Sequence, residues 1–496
     1  MRRPTFGILL VLTMSLTGLV GSAAAAPSGG GEPTVSGPVT GGQGFPSILT
    51  TNFSLADVGY ESAEYFIEGT ATSYAQAAPF KADGKWKVDE KDTAPYKTRM
   101  VVYRPIDPKD FNGTVFLEWL NVSAGFDTSP DWLSAHNQMI RAGAAWVGVS
   151  AQAVGVQGGA DVIPGAATGG IKGGDPARYG TLDHPGDAYS YDIYTQAGRA
   201  VAGDAKGVNP LGDLDVKRVI AVGESQSAFR LTTYVNAIHP LAKVFDGFLI
   251  HSRGAGSAPL GESQFSQRDS STPKDAHIRT DTDVPVLTFQ TESDFLLLGF
   301  LPARQPDSKN FRLWEVAGTS HADAYTVGLS MGDLGDGKAE LTLLDPAAAS
   351  GSVLKCTQNI NAGPASAVLN AGLEHLEQWV EGGPPPPHAP RLVFAETAGP
   401  TLVRDQYGNA KGGIRTPVVD VPLAANTGEK NQGGSFCVVF GTTVPLDAAT
   451  LAALYPTHDD YVQKFDAATD KAVKAGFMLA PEAKNWKAAA RQLSVP

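Results

Sequence analysis

The sequence predicts an α/β protein in which helices cover both faces of a mainly parallel central sheet. Its 496 residues are 42% hydrophobic and 18% charged, which is typical of a chain with a large packed core. From about residue 46, extended and helical patterns alternate along the chain, as in proteins with a parallel sheet. Several of the extended stretches are almost wholly apolar, which indicates strands buried on both faces.

The predicted elements follow one another in a regular order. Alternating or continuous apolar runs predict strands at residues 65–70, 98–103, 114–119, 145–150, 218–222, 244–250, 286–290 and 313–316. Helical periodicity predicts helices at residues 132–142, 188–202, 228–238 and 365–380. Gly143 follows the first of these helices at the position where glycine commonly ends a helix.

Two regions depart from this alternation. Residues 252–283 lie between two predicted strands and are rich in Ser, Gly and Asp, which fits either a lid over the substrate or a surface excursion. A Gly-Gly-Pro-Pro-Pro-Pro run at 382–387 then breaks the chain, and a Gly-rich extended region follows. We therefore expect a main α/β domain at 46–382 and a β-rich C-terminal extension at 383–496 packed on it.

The N-terminus has the three-part layout of a secretory signal peptide. Arg2 and Arg3 precede an apolar run at 6–20 and four alanines, and cleavage after Ala25 is predicted. A membrane anchor is disfavoured because the apolar run is shorter than the ~20 residues of a spanning helix. Residues 26–45 are rich in Gly, Pro and Ser, so we expect a flexible mature N-terminus, with order beginning near Phe45. The protein is predicted to be secreted or extracytoplasmic, in a bacterium.

The charge and the cysteine content indicate which partners, cofactors and covalent links to expect. The formal charge is −12 and no Lys/Arg block is present, so nucleic acid is not expected as a partner, and a small-molecule substrate is. No later segment is predicted to span a membrane, and the oligomeric state is left open. Cys356 and Cys437 are the only cysteines, and in an exported chain such a pair predicts a disulfide. Nine scattered histidines without a paired motif indicate no metal site, and no cofactor is implied.

The strongest local motif is a Gly-Glu-Ser-Gln-Ser pentapeptide at 223–227, between a predicted strand and a predicted helix. In such a strand–turn–helix, a sharp turn exposes a serine hydroxyl above the sheet, which makes Ser225 the candidate nucleophile. Ser227 stands where the usual pattern G-x-S-x-G has its second glycine. Taken alone, the pentapeptide also fits a Gly-Ser turn without chemistry.

Two further polar groups follow predicted strands downstream. Glu292 and Asp294 come after the strand at 286–290, and His321 comes after the strand at 313–316. The order Ser, acid, His is the one expected when the ends of parallel strands converge on the serine. A serine needs an imidazole to take its proton, and a carboxylate to orient that imidazole. From spacing alone, either Glu292 or Asp294 qualifies as the acid.

Two donors are expected to form an oxyanion hole. The first is the backbone N–H of Gln226, directly after the serine, and the second is assigned to Asn121 in the loop after the third strand. Asn121 fits equally well as a residue capping a turn. His184 and His251 are interpreted as structural histidines, and the tryptophans are interpreted as core or pocket wall; these are Trp119, Trp132 and Trp146.

Across most of the mature chain, the sequence resembles the bacterial α/β-hydrolase-domain family, whose members have few assigned substrates. The matching segments are Glu-Trp-Leu-Asn-Val-Ser at 118–123, Pro-Asp-Trp at 130–132, Gly-Val-Ser-Ala-Gln at 148–152, His-Pro-Gly-Asp-Ala at 184–188, the pentapeptide at 223–227, and Gly-Gly-Ile-Arg-Thr-Pro at 412–417. The resemblance implies the α/β-hydrolase fold and a hydrolase without a cofactor. In its register, Thr291 resembles the glycine of a G-x-x-D turn, which favours Asp294 over Glu292 as the acid.

The sequence thus predicts a secreted serine hydrolase that cleaves a carboxylic ester through an acyl-enzyme, using Ser225, His321 and an acid. An acyltransferase using the same residues and a catalytically silent binding protein on this fold are the alternatives. The ester itself is not predicted.

Overall fold

A computed structural model describes residues 31–159, 169–262, 271–346, 355–397, 399–434 and 436–495. The predicted signal peptide at 1–25 lies outside these residues, as does part of the predicted lid, at 263–270. In this part of the chain, no helix is both long enough and apolar enough to cross a membrane.

A ten-stranded sheet forms the centre of the molecule, with strand order β10-β9-β8-β7-β4-β5-β3-β2-β1-β6, and β11 and β12 form a separate two-stranded sheet. The strands are β1 (Thr34–Ser36), β2 (Tyr60–Gln76), β3 (Val88–Pro105), β4 (Thr114–Trp119), β5 (Ala145–Val149), β6 (Lys206–Gly207), β7 (Arg218–Glu224), β8 (Gly247–His251), β9 (Val286–Thr291), β10 (Phe311–Val316), β11 (Ala424–Thr427) and β12 (Thr442–Pro445).

The six strands from β10 to β5 in this order run parallel to one another, whereas β3 is antiparallel to β5 and β2 is antiparallel to β3. Because parallel strands end at the same edge, the segments that follow β7, β9 and β10 meet above that edge. These are the segments that contain the predicted nucleophile, acid and base.

Helices connect the strands. They are α1 (Pro130–Ala142), α2 (Ala153–Gln157), α3 (Gly170–Gly174), α4 (Pro176–Tyr179), α5 (Ser190–Val201), α6 (Gln226–Thr233), α7 (His239–Ala242), α8 (Glu292–Leu296), α9 (Ala324–Val327), α10 (Lys338–Leu344), α11 (Ala365–Val380), α12 (Pro417–Asp420), α13 (Ala448–Leu454), α14 (His458–Lys474) and α15 (Ala480–Gln492).

Both faces of the sheet are covered, as predicted. Side chains alternate between the faces of a strand, so Ile220 and Ala221 of β7 belong to different apolar clusters. Ile220 shares its cluster with apolar residues of α1 and α11, and Ala221 shares its cluster with apolar residues of α5 and α6. The predicted fold class is therefore confirmed.

The three tryptophans singled out in the sequence lie in these clusters. Trp119, Trp132 and Trp146 are fully buried. The ring of Trp119 packs against Tyr194 with centroids 4.8 Å apart, and its Nε1 donates to Gln152 at 3.1 Å. They therefore form part of the core.

The N-terminal segment differs from the expectation that order begins near Phe45. Residues 34–36 form β1, which pairs with β2 and β6, and Val35 is 1% exposed. Arg178 also donates hydrogen bonds to the carbonyl oxygens of Val39 and Gly41. The composition of this segment suggests flexibility because few apolar residues are present. A three-residue strand can nevertheless form with one buried side chain when a neighbouring strand is available for pairing.

The C-terminal extension packs on the body through backbone hydrogen bonds. Ile414 donates to the carbonyl oxygen of Glu315 at 2.7 Å, and Ala317 donates to that of Ile414 at 3.0 Å, so the extension continues the edge of β10. The small antiparallel sheet of β11 and β12 matches the predicted β-character. The three helices α13–α15 at 448–492 are not predicted by the sequence analysis.

Cys356 and Cys437 form a disulfide in the structure, as predicted. Their sequence separation is 81 residues, and closing a loop of that length lowers the entropy of the unfolded chain by an amount worth about 4 kcal/mol. We expect the double variant C356A/C437A to unfold at a lower urea concentration than the oxidised protein. Its free energy of unfolding should be lower by up to about 4 kcal/mol. Two reactive thiols in the denatured protein without reductant would contradict the bridge.

Candidate active site

Ser225 lies on a sharp turn between β7 and α6. Its backbone angles are φ 57° and ψ −117°, in the positive-φ region that residues other than glycine rarely adopt. Because α6 begins at the next residue, the turn places the serine at the helix N-terminus, above the carboxyl edge of the sheet. This is the strained strand-to-helix geometry expected of a nucleophile elbow.

Small neighbours permit this turn. A Cβ added to Gly223 would lie 3.0 Å from the Cβ of Ser227 and 3.0 Å from Leu231, so a side chain there would require these neighbours to shift. Ser227 is itself fully buried. The serine that replaces the usual glycine is therefore accommodated in the packed interior of the turn.

His321 lies between Ser225 and Asp294. Its Nε2 is 2.8 Å from the Oγ of Ser225, and its Nδ1 is 2.8 Å from Oδ1 of Asp294. The other carboxylate oxygen of Asp294 accepts the backbone N–H of Thr291 at 2.6 Å, in a capping box at the start of α8. This second hydrogen bond fixes the carboxylate with one oxygen toward the imidazole.

Glu292, the alternative acid, points away from His321. Its buried carboxylate accepts the backbone N–H of Gly318 at 2.6 Å and that of Gly428 at 3.1 Å. It also forms an ion pair with Arg404 at 3.3 Å. Glu292 therefore links the loop after β10 to the C-terminal extension.

The two predicted oxyanion donors both lie at the elbow. Gln226 is the first residue of α6, where a backbone N–H has no partner within the helix. The side-chain amide of Asn121 donates to the carbonyl oxygen of Glu224 at 3.1 Å and faces a carboxylate oxygen of Glu224 at 3.4 Å. Since this amide already contacts Glu224, the role of Asn121 as an oxyanion donor stays a prediction.

Comparison with known families identifies the fold and its class. The model of the alpha/beta hydrolase domain family matches residues 35–488, which is nearly the whole chain. The chain belongs to this family. No curated protein matches it.

Solved structures similar to this α/β hydrolase include several esterases. A thermostable esterase from Pseudomonas putida is 12% identical over 49% of this chain and 66% of its own, with a TM-score of 0.26. A serine hydrolase without a lid from Xanthomonas campestris is 11% identical over 52% and 90%, with a TM-score of 0.27. A glucuronoyl esterase from Solibacter usitatus is 10% identical over 52% and 81%, with a TM-score of 0.24. Because these scores are low, the assignment rests on the family match.

The hydrolase has a cavity of about 70 Å³ beside the imidazole of His321. Its ionisable lining consists of His321, Glu224, His251 and Asp323. The remaining lining residues are uncharged: Pro130, Ser134, Thr291, Ser320, Ala322, Thr326, Ala365, Ser366 and Leu369. The walls of the cavity thus combine two carboxyl groups with two imidazoles and contain no lysine or arginine.

Glu224, to which the sequence analysis assigns no role, contacts the imidazole directly. Its Oε1 is 3.2 Å from Nε2 of His321, the same nitrogen that faces Ser225. Burial lowers the pKa of His321, but the charges of Glu224 and Asp294 outweigh this effect and raise it to about 9. Burial raises the pKa of Glu224 to about 7 against the opposing charges of His321 and His251.

His251, which lines the same cavity as Glu224, forms a second imidazole–carboxylate pair. Its Nδ1 is 2.8 Å from Oδ1 of Asp131, at the start of α1. Burial lowers the pKa of His251, but Asp131 and Glu224 together raise it above its ordinary value. From the sequence, His251 is interpreted as structural; its position directly after the apolar residues of β8 is the signal that it could reach the site.

The other histidine singled out in the sequence has a structural environment. Nε2 of His184 lies 2.9 Å from the carbonyl oxygen of Ala151, and burial lowers its pKa. Within the described ranges, no group of three or more His, Cys, Asp or Glu side chains is arranged to hold a metal ion.

The described part of the predicted lid packs on the helices beside the elbow. The carboxylate of Glu262 accepts the backbone N–H groups of Asp187 and Ala188 at 2.8 and 3.0 Å. The hydroxyl of Tyr191 on α5 donates to the carbonyl oxygen of Pro259 at 2.7 Å. The role of residues 252–283 as a lid stays a prediction.

Proposed function

We propose that this α/β hydrolase cleaves a carboxylic ester through an acyl-enzyme on Ser225. The observation that supports this most strongly is the continuous set of contacts from Ser225 to His321 to Asp294, each 2.8 Å long. In this family's fold, such a set above the carboxyl edge of the sheet is the arrangement needed to activate a serine.

The residues have distinct tasks in this reaction. With Nδ1–H of His321 donating to Asp294, Nε2 accepts the proton of Ser225 as the hydroxyl oxygen attacks the ester carbonyl carbon. The backbone N–H of Gln226 stabilises the oxyanion that forms. His321 then donates its proton to the leaving alkoxide, and the acyl group stays on Ser225 until water, activated by the same imidazole, releases the acid.

The C-terminal extension supports the site in this proposal. Gly428 and Arg404, which both belong to it, hold Glu292 directly beside the turn that contains Asp294. We therefore propose that residues 383–496 are required to shape the catalytic turn. The disulfide supports secretion into an oxidising compartment, which is where such bridges persist.

A panel of p-nitrophenyl esters from acetate to laurate tests the activity, and the preferred acyl length is read from kcat/KM. Release of p-nitrophenol with a free carboxylic acid as the second product is expected. Formation of a new ester when an alcohol such as ethanol is added would show acyl transfer instead. Absence of turnover across the panel, together with tight binding of an ester, would favour a silent binding protein.

A further inference from the structure

We propose that Glu224 is a positioning residue that holds a proton on Nε2 of His321 in the resting site and thereby confines turnover to alkaline pH. This inference rests on the proposed ester hydrolysis. Nε2 of His321 faces two oxygens, the Oγ of Ser225 at 2.8 Å and Oε1 of Glu224 at 3.2 Å. A proton on that nitrogen therefore has two acceptors.

The two acceptors have opposite consequences for catalysis. When His321 is neutral, the lone pair of Nε2 accepts the hydroxyl proton of Ser225, and an ionised Glu224 opposite that lone pair is repelled. When His321 is protonated, the N–H donates to the carboxylate of Glu224 and the charges attract. Burial strengthens this attraction, because the His321 side chain is only 9% exposed and that of Glu224 only 10%. The pair therefore favours the protonated imidazole, which cannot act as a base.

The same contact is favourable after the reaction begins. Once Ser225 has attacked, its proton is on Nε2 and the imidazole is positively charged, so Glu224 and Asp294 flank a cation from both sides. The N–H must then turn from Glu224 to the leaving oxygen, which takes the proton. Glu224 thus makes His321 a stronger base but keeps its Nε2 protonated at neutral pH.

The other ionisable groups around this pair are two carboxyl groups and one imidazole, so they add net negative charge when all three are ionised. His251 at the end of β8 and Asp131 on α1 lie near enough for their charges to act on Glu224, and Asp323 lines the same cavity. Residues of α11 that reach the cavity are uncharged. Because His251 is itself hydrogen-bonded to Asp131, the negative charge of Asp131 offsets part of the effect of a positive His251 on Glu224.

The pH dependence of kcat/KM tests this inference, since its acid limb reports the base of the free enzyme. For the wild-type protein, kcat/KM is expected to rise through neutral pH, reach half of its plateau at about pH 9, the pKa of His321, and level off above that pH. Glu224→Gln removes the charge and keeps the shape. Its acid limb should move to lower pH by roughly one unit or more, which is typical for loss of a charge at this distance. The ratio of kcat/KM at pH 7 to its plateau should then rise about tenfold.

Glu340→Gln is the matched control. Glu340 lies on α10, accepts a hydrogen bond from Asn485, and burial raises its pKa to about 7. It therefore undergoes the same chemical change at the same pKa, away from His321. Its acid limb should stay in place. An equal movement in both variants, or none in Glu224→Gln, would overturn the inference.

Two further measurements test the inference if Glu224→Gln does not fold or if no ester is hydrolysed. If Glu224→Gln does not fold, Glu224→Asp withdraws the carboxylate and should move the limb in the same direction by less; no movement there would overturn the inference. Titration of His321 by NMR, assigned with a His321→Asn variant, does not depend on turnover. If no ester is hydrolysed, the proposed function fails, whereas this titration still decides whether Glu224 raises the pKa of His321.

Discussion

Replacing Ser225 with alanine is expected to lower kcat for any aryl ester by a factor on the order of 10⁶, because the attacking oxygen has no substitute. The fold should be retained. Alanine meets the same backbone strain at φ 57° as serine does, and the hydroxyl lost is the one that contacts His321 at the site surface. The measurement is kcat with p-nitrophenyl esters, alongside the melting temperature.

Ser227→Ala is the matched control for that variant. Ser227 belongs to the same turn and is fully buried, and its Oγ has no hydrogen-bond partner among the described residues. Its removal should leave kcat nearly unchanged. Activity above a few per cent in Ser225→Ala, or a comparable loss in Ser227→Ala, would show that the nucleophile is misassigned.

The second large effect concerns the acid. Asp294→Asn should lower kcat by up to about 10⁴-fold, because an amide favours the wrong tautomer of the imidazole and does not stabilise its positive form. The carboxylate's other hydrogen bond, from the backbone N–H of Thr291, can still be accepted by the amide oxygen. Stability should therefore change much less than kcat, as measured by urea unfolding.

Glu292→Gln should give the opposite pattern. Its carboxylate is bonded to Gly318, Gly428 and Arg404 but not to His321. An amide in its place leaves buried donors and a guanidinium poorly matched, at a cost of about 1–3 kcal/mol in the free energy of unfolding. Its kcat should fall far less than that of Asp294→Asn. If Glu292→Gln were the more damaging to kcat, the acid would be Glu292.

The parts of the fold predicted best from the sequence are those with strong local patterns. The strand at 114–119 and the helix at 365–380 have the predicted bounds, because the first is apolar except for Thr114 and Glu118 and the second has a clear helical period. β2 and β3 are much longer than predicted. Their outer parts pair with each other in a two-stranded ribbon, and that pairing is not visible in the apolar pattern.

The longest of the C-terminal helices has a local sequence signal at its start. Thr457 and Asp460 form a capping box, and α14 begins between them at His458. The preceding Gly-rich segment predicts extended chain, whereas residues 448–492, which follow it, form three helices. Short strands such as β1 are harder to predict, since their stability comes from a partner strand distant in the chain.

Within the site, the sequence predicts the residue types and their order, but spacing alone does not separate Glu292 from Asp294. The two differ in which backbone N–H groups their side chains meet, and these depend on the turn after β9 and on Gly428, 136 residues away. The role of Glu224 is likewise not predictable from spacing alone. It stands beside the nucleophile in the motif, yet its contact with His321 depends on where β10 ends relative to β7.

The central claim is that Ser225 is the nucleophile. The most direct measurement is mass spectrometry of the protein after incubation with a fluorophosphonate, followed by mapping of the modified peptide. We predict one adduct per chain, located on Ser225, in the wild-type protein and in Ser227→Ala, and none in Ser225→Ala. An adduct on another residue, or an unmodified Ser225 in a protein that hydrolyses esters, would contradict the claim.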